Sequence, residues 1–206
     1  MRKSALTLLF CSIITGCAIG PTGRFAGGGN GNRPLSCGVL CFTQEEAGKQ
    51  VDLGSSVLPS EALAQSFSIT TGLSANVTSV SLLLNAEGGT FSSRAGQFLS
   101  VSIYQDLGGS PGTLMPGMTG TIDLSTVGAT PDIHTATFTN PLPLAAGTYW
   151  IVVTPSYAIP ARTFVQWAGN DSPSTGYSGG MAKYRVSNGW SSAAIGMLRD
   201  LVFSLN

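Results

Sequence analysis

Polar and apolar residues alternate with a period of two in one segment after another from Gln65 onward. Gln65-Ser66-Phe67-Ser68-Ile69 is the first such segment, Val80, Leu82 and Leu84 keep one parity, and Leu99, Val101 and Ile103 alternate with Ser100 and Ser102. A strand sends successive side chains to opposite faces, so this period marks strands with one buried face. Further apolar runs cover residues 136–139, 149–154, 163–167, 182–186 and 201–205. Clusters of Gly, Pro, Asn and Ser, such as 108–112 and 171–180, separate them. Short strands with turn chemistry between them predict an all-β fold, an antiparallel β-sandwich or jelly roll of about 8–10 strands. Residues 45–49 and 60–64 offer at most a turn of helix each, and no repeat of fixed period is present.

The first residues follow another pattern. Arg2 and Lys3 precede an apolar run over residues 5–14, which ends in Ile14-Thr15-Gly16-Cys17. A positive start, a short apolar stretch and small residues at a cleavage point form the layout of a secretory signal. A run of roughly ten residues is too short to span a bilayer, which takes about 20. The tetrapeptide Ile-Thr-Gly-Cys resembles the bacterial lipobox. That resemblance implies cleavage before Cys17, a diacylglycerol on its thiol and a membrane attachment through lipid. Two or more acyl chains hold a protein stably where one holds only marginally. Ala18 follows the cysteine where the family's sorting rule places Asp for inner-membrane retention, so the resemblance implies the outer membrane.

From Ala18 to Leu35 the chain reads AIGPTGRFAGGGNGNRPL, without apolar periodicity. The expected organisation is a signal over 1–16, a lipidated cysteine with a Gly/Pro/Asn-rich tether over 17–48, and a β-sandwich domain over 49–206. A Gly-rich chain of roughly 30 residues has a root-mean-square reach of about 30 Å, enough to hold the domain clear of lipid headgroups.

Charge narrows the function classes. Only 10% of the 206 residues are charged, ten basic against ten acidic, for a net charge of zero. No basic stripe of the kind that tracks nucleic acid is present, so no nucleic-acid partner is expected. Four cysteines occur. Cys11 leaves with the signal and Cys17 carries lipid, which leaves Cys37 and Cys41 as either a disulfide across a tight turn or two free thiols. A zinc site needs about four ligands and none lies near that pair, so no metal is expected there.

Several strings resemble the bacterial choice-of-anchor domains. They are Ala64-Gln65-Ser66-Phe67, the run Val101-Ser102-Ile103-Tyr104 leading into Gly109-Ser110-Pro111-Gly112, the segment from Pro143-Leu144 to Gly147-Thr148-Tyr149-Trp150, and Asp200-Leu201-Val202-Phe203. The resemblance spans about residues 62–205. It implies an exported β-sandwich module held at a surface, and it implies no chemistry.

The catalytic patterns in the chain fail on physical grounds. Gly108-Gly109-Ser110-Pro111-Gly112 fits the G-x-S-x-G string of a nucleophile elbow. In that elbow the residue after the serine donates its backbone N–H to the oxyanion hole, and Pro111 has none. The elbow also needs a helix after the serine, which Pro116 and Gly117 would break. Asp132 and His134, the one histidine, follow in the right order but only two residues apart. The Pro-Gly pair reads as a turn between two strands. Asp106, Asp123, Asp132, Asp171 and Asp200 are scattered at turns, and no two can be assigned to facing strands as a glycosidase requires. Asp106, Asn170, Asp171 and Asp200 offer oxygen to calcium without any D-x-D-x-D cluster. The expectation is a non-enzyme without cofactor.

Aromatics carry the binding signal. Tyr149 and Trp150 face opposite sides of one strand, and Trp167 shares a strand with Phe164, so part of this set fills the core. Tyr157, Tyr177 and Trp190 fall in Gly/Ser/Pro-rich connections, where loops at the end of a sandwich form the usual binding surface; a ring there either meets a ligand or caps the open end of the core. With Trp167 they make up the candidate ligand-binding set. The sequence thus points to a non-catalytic, lipid-anchored binding or adhesion module, with a glycan or envelope polymer as the expected ligand. A structural subunit packed on envelope proteins is the alternative.

Overall fold

The structure is a computed structural model that describes residues 40–42, 49–53, 62–69, 74–87, 96–156, 164–170, 180–186, 189–192 and 200–206. These residues form β1 (Leu40–Phe42), β2 (Lys49–Leu53), β3 (Ala62–Ile69), β4 (Ala75–Asn76), β5 (Ser79–Glu87), β6 (Phe98–Asp106), β7 (Pro111–Asp123), β8 (Asp132–Thr137), β9 (Pro143–Leu144), β10 (Gly147–Pro155), β11 (Phe164–Asn170), β12 (Ala182–Val186), β13 (Gly189–Ser191), β14 (Asp200–Leu201) and β15 (Phe203–Leu205). Nine of the fifteen are five residues or longer, within the expected range; the remainder are segments of two or three residues. A 3-10 turn, Leu124–Thr126, follows β7 and is capped by the Asp123 carboxylate, which accepts from Ser125 N at 2.9 Å. Among the described residues no helix is long and apolar enough to cross a membrane.

The strands form two antiparallel sheets packed face to face, an all-β sandwich. One has seven strands in the order β1-β15-β5-β11-β14, with β2 paired to β11 and β8 to β5. The other has six, in the order β13-β12-β3-β10-β6-β7, and β4 with β9 makes a separate two-stranded ladder. Period-two alternation decides what lies between the sheets. Leu63 and Phe67 of β3, Val101 and Ile103 of β6, and Tyr149, Ile151 and Val153 of β10 meet Leu82 and Leu84 of β5, Trp167 of β11 and Phe203 of β15. The Phe67 ring lies 5.8 Å from that of Tyr149 and 6.3 Å from that of Phe203, so aromatic contacts join the sheets at the centre. Gln65 also faces inward, and its side-chain oxygen accepts from Leu201 N at 2.7 Å, a polar tie between the sheets.

Three differences from the sequence reading have physical causes. First, β7 occupies a stretch that reads as turns and breaks. It lies at the edge of the six-stranded sheet, and its ladder with β6 shifts register between Ser102 and Tyr104 and again between Tyr104 and Asp106. Edge strands and bulges are where a strand tolerates Pro and Gly. Gly120 is needed there for another reason: a Cβ on it would stand 2.6 Å from the Thr137 carbonyl oxygen of β8. Second, β1 falls within the stretch assigned to the tether, and it pairs with β15 through Leu40↔Leu205 and Phe42↔Phe203. The apolar triplet Leu40-Cys41-Phe42 supplies a strand, so the fold takes up the chain before residue 49. Third, of the run read as 136–139 only Ala136 and Thr137 lie in a strand, the end of β8, which begins at Asp132. Cys17 and Cys37 lie outside the described residues.

Candidate binding face

The outer face of the six-stranded sheet carries the concentration of aromatic and charged side chains. Strands β12, β3, β10, β6 and β7 lie side by side, so the pairing register sets rows across that face. One row reads Lys183, Ala64, Val152, Ser102 and Thr119. The next reads Ser66, Trp150, Tyr104 and Leu114. Beyond Ala62, Arg185 of β12 stands opposite Trp190 of β13. Adjacent rows are two residues apart along the strand, roughly 7 Å, so long side chains reach their diagonal neighbours.

Trp150 is the keystone of the face. It points away from the inter-sheet core yet is 1% exposed, packed in a cluster with Ala62, Ala64 and Val152, against which Tyr104 and Trp190 lie partly exposed. Small residues at 62 and 64 leave room above β3 for the rings on either side. The indole N–H of Trp150 donates to Asp106 Oδ1 at 2.7 Å, and Asp106 Oδ2 accepts from Gly109 N at 3.1 Å. One carboxylate thus fixes both the ring and the β6–β7 hairpin, whose turn is closed by Leu107 N donating to Ser110 O at 2.8 Å.

Two cations lie over the rings. Lys183 Nζ is 5.6 Å from the Trp150 ring centroid and donates to Ser110 Oγ at 2.8 Å; the Arg185 guanidinium carbon is 5.3 Å from the Trp190 centroid. Both separations fall within the range where a ring's negative face attracts a cation. Hydroxyls line the rest of the face. Ser102 Oγ and Thr119 Oγ1 are 2.9 Å apart, Ser68 Oγ and Thr148 Oγ1 3.4 Å, and Ser100, Thr121 and Thr154 lie on the same side.

The candidate ligand-binding residues separate on this basis. Trp190 is partly exposed on the face, but it sits in the short edge strand β13 and not in a loop, because its backbone pairs with Arg185. Trp167 is withdrawn from the set. It is 0% exposed in the inter-sheet core and its indole N–H donates to Val202 O at 2.8 Å, so neither ring face nor N–H reaches a ligand. Tyr157 and Tyr177 lie outside the described residues. The sequence reading missed Tyr104, Lys183 and Arg185. The alternation of Lys183 and Arg185 along one strand, with Ala182 and Tyr184 turned inward, was the available signal.

The residues tested for hydrolysis are distributed across the molecule. Ser110 lies in the β6–β7 turn of the six-stranded sheet, with its Oγ accepting from Lys183. Asp132 and His134 are on β8 of the seven-stranded sheet. Asp132 Oδ1 accepts from its neighbour Ile133 N at 2.8 Å. Thr126 Oγ1 donates to Asp123 O at 2.7 Å and lies 3.4 Å from His134 Nδ1. His134 Nε2 is buried without a hydrogen-bond partner. Burial lowers the pKa of this histidine, partly opposed by the Asp132 charge. Among the described residues no group of three or more His, Cys, Asp or Glu side chains gathers around a common point.

Fold and site together define an antiparallel β-sandwich with an aromatic, cation-bearing outer sheet face. A scan of protein-family models, a search of characterised proteins and a search of solved structures each find no match.

Proposed function

We propose that this protein is a non-catalytic binding module, held at the bacterial cell envelope by lipid on Cys17, that engages a glycan or envelope polymer through the outer face of its six-stranded sheet. The observation that carries the reading is the cluster of Tyr104, Trp150 and Trp190 on one face, bordered by Ser and Thr hydroxyls. A sugar ring has an apolar C–H face and a rim of hydroxyls. A flat, hydroxyl-bordered aromatic surface meets both, with buried apolar area supplying affinity and a few polar groups fixing orientation. Trp150 is the support of this surface, while Tyr104 and Trp190 present the partly exposed ring area. The lipobox resemblance at Ile14-Thr15-Gly16-Cys17 supports the anchor, and the choice-of-anchor resemblance supports display at a surface.

The test is retention of the detergent-solubilised full chain on a panel of neutral and acidic polysaccharides. The chain should be retained by at least one polymer, and a Tyr104→Ala/Trp190→Ala double variant should lose at least about tenfold in affinity, the scale expected when stacking area is removed. Undiminished retention of a folded double variant would remove this face from the reading, and retention on no polymer would remove the glycan.

A further inference from the structure

We infer that the end of the sandwich carrying the β6–β7 hairpin seats in the interfacial layer of the bilayer that holds the protein, with Leu107, Leu114 and Leu142 as its apolar contacts. The inference rests on the lipid anchor proposed above and adds an orientation and a second, direct contact with lipid.

Strand pairings bring the parts of this end together. Gly147 opens β10 opposite Ile69, the last residue of β3, and Tyr149 stands opposite Gln105, two residues before Leu107 of the β6–β7 turn. β4 and β9 pair there through Ala75↔Leu144, and Thr78 N and Ser79 N donate to Asn206 O. β1 begins at the same end, with Leu40 opposite Leu205, so the chain arriving from Cys17 reaches the fold there. A Gly-rich chain as long as residues 18–39 has a root-mean-square reach of about 25 Å, whereas the nine residues of β5 alone span roughly 30 Å. An anchor on Cys17 therefore holds this end nearer the bilayer than the other.

Composition divides the two ends. Residues 74–79, 107–119 and 138–149 contain no Asp, Glu, Lys or Arg. Among the described residues, the charged groups that reach the hairpin are Asp106 and Lys183, and they are bonded within the fold to Trp150, Gly109 and Ser110. The opposite end carries Glu87, Asp123 and Asp132. Five large apolar side chains are exposed among the described residues, and three border the uncharged end: Leu107 at 73%, Leu114 at 42% and Leu142 at 39%. Phe98 lies at the opposite end, and Met181 lies beside Ser66 on the β12 side of the sheet. Leu107 is held out by the turn itself: Gly108 and Gly109 have φ of +60° and +79°, as a type I′ turn requires, and Leu107 N donates to Ser110 O. Leu114 stands opposite Tyr104, three residues or roughly 10 Å back from Leu107 along the strand, and Leu142 N donates to Met118 Sδ of the same strand β7. Exposed leucines scattered singly need no explanation, but three on one uncharged end mark a contact surface. An interfacial element sinks its apolar side about 5–10 Å into the boundary of headgroups and acyl chains, which is the depth over which these leucines are spread. Trp190 then stands toward the end away from the bilayer, because β13 pairs with β12 next to Ala62 at the start of β3.

The experiment places tryptophan reporters in the lipidated full chain, reconstituted in phosphatidylcholine vesicles so that net lipid charge plays no part. Quenching by phosphatidylcholine brominated on its acyl chains is read relative to the wild type, whose three tryptophans set the background. Leu107→Trp should lose about half of its added emission, as a ring held about 5–10 Å into the boundary would. Ala129→Trp, in the exposed connection at the opposite end, should lose none. Added to Leu107→Trp, Leu114→Ser and Leu142→Ser should each lower the ratio of seated to free domains about tenfold, the effect of losing one leucine's apolar contact. Together they should return the quenching to the level of Ala129→Trp. Unchanged thermal melting checks that these exposed-position variants fold. Equal quenching of the two reporters, or quenching of Leu107→Trp that survives both serines, overturns the inference and leaves the anchor standing. Protection of Leu107→Trp from brominated lipid and from aqueous acrylamide alike would assign the leucines to a second copy of the chain and overturn it as well. A wild-type chain that does not float with the vesicles overturns the anchor and the inference together.

Discussion

The bond between Trp150 and Asp106 offers the sharpest test of how the face is built. Asp106→Ala removes the acceptor of the indole N–H, 2.7 Å away, and of Gly109 N, 3.1 Å away. The two losses differ in kind. The indole belongs to a ring that is almost fully buried, so its N–H would be left largely without water; a bond to a charged acceptor in such a place contributes about 1.5–3 kcal/mol. Gly109 lies in the hairpin turn, where water can take over, and its loss should cost a few tenths of a kcal/mol at most by the same reasoning. The sum is about 2–3 kcal/mol, or roughly 4–12 °C in Tm at about 2–4 °C per kcal/mol for a domain of this size. Trp150→Phe deletes the N–H as well but also removes ring volume, so its own cost mixes packing with hydrogen bonding. A double-mutant cycle with Asp106→Ala cancels the packing and isolates the coupling, expected at about 1.5 kcal/mol or more. Chemical denaturation of the four proteins measures it. Coupling below about 0.3 kcal/mol, the level at which unconnected sites add, would refute the claim that this carboxylate holds the ring.

Other consequences can be checked separately. Gly120→Ala should destabilise by about 1–3 kcal/mol in thermal melting, since the new methyl meets the Thr137 backbone and cannot turn away; Gly128→Ala, which meets nothing within 4 Å, should be neutral or stabilising by up to about 1 kcal/mol. His134 titrates below its usual value of 6.5 because burial disfavours the imidazolium. The unfolded chain therefore binds more protons, stability is full above about pH 6.5 and declines as pH falls from there toward the folded-state pKa. Denaturation midpoints across that window should flatten in His134→Gln, and an unchanged profile would refute the assignment. Metabolic labelling with a fatty-acid probe should mark the wild-type protein and fail in Cys17→Ser; label persisting in that variant would refute the anchor.

The strands that bury one face were legible because alternation is a local signal. Phe67 and Ile69, Leu82 and Leu84, and Val101 and Ile103 all reach the core on the predicted parity. Alternation also separated Tyr149 from Trp150, and the structure sends the first inward and the second outward. What it could not supply was pairing order. Lys183 meets Trp150 because β12, β3 and β10 are neighbours, although they are 80 or more residues apart in places along the chain, and only tertiary packing fixes such an order. β7 was hidden for a different reason. Pro111, Gly112, Pro116 and Gly117 are turn residues by local chemistry, and only its edge position and shifted register make them tolerable in a strand. Trp190 was misplaced because a three-residue edge strand leaves almost no periodic trace.

The anchor and the face bear on each other through affinity. A single sheet face with two partly exposed rings and two cations offers few contacts, and its bonds to a hydrated polymer trade against water, so each encounter should be weak. A polymer repeats its sugar many times, and lipid would hold many copies of the protein on one surface. The second and later contacts of one polymer strand are then effectively intramolecular, which can raise overall avidity by about 10²–10⁴ without any new contact. The fold suits this arrangement. β1, the described strand nearest to Cys17 in the chain, belongs to the seven-stranded sheet, whereas the rings and cations lie on the outer side of the opposite sheet. On the proposed reading, attachment and binding therefore draw on different sheets of the sandwich, and a modest site gains its strength from being displayed in number.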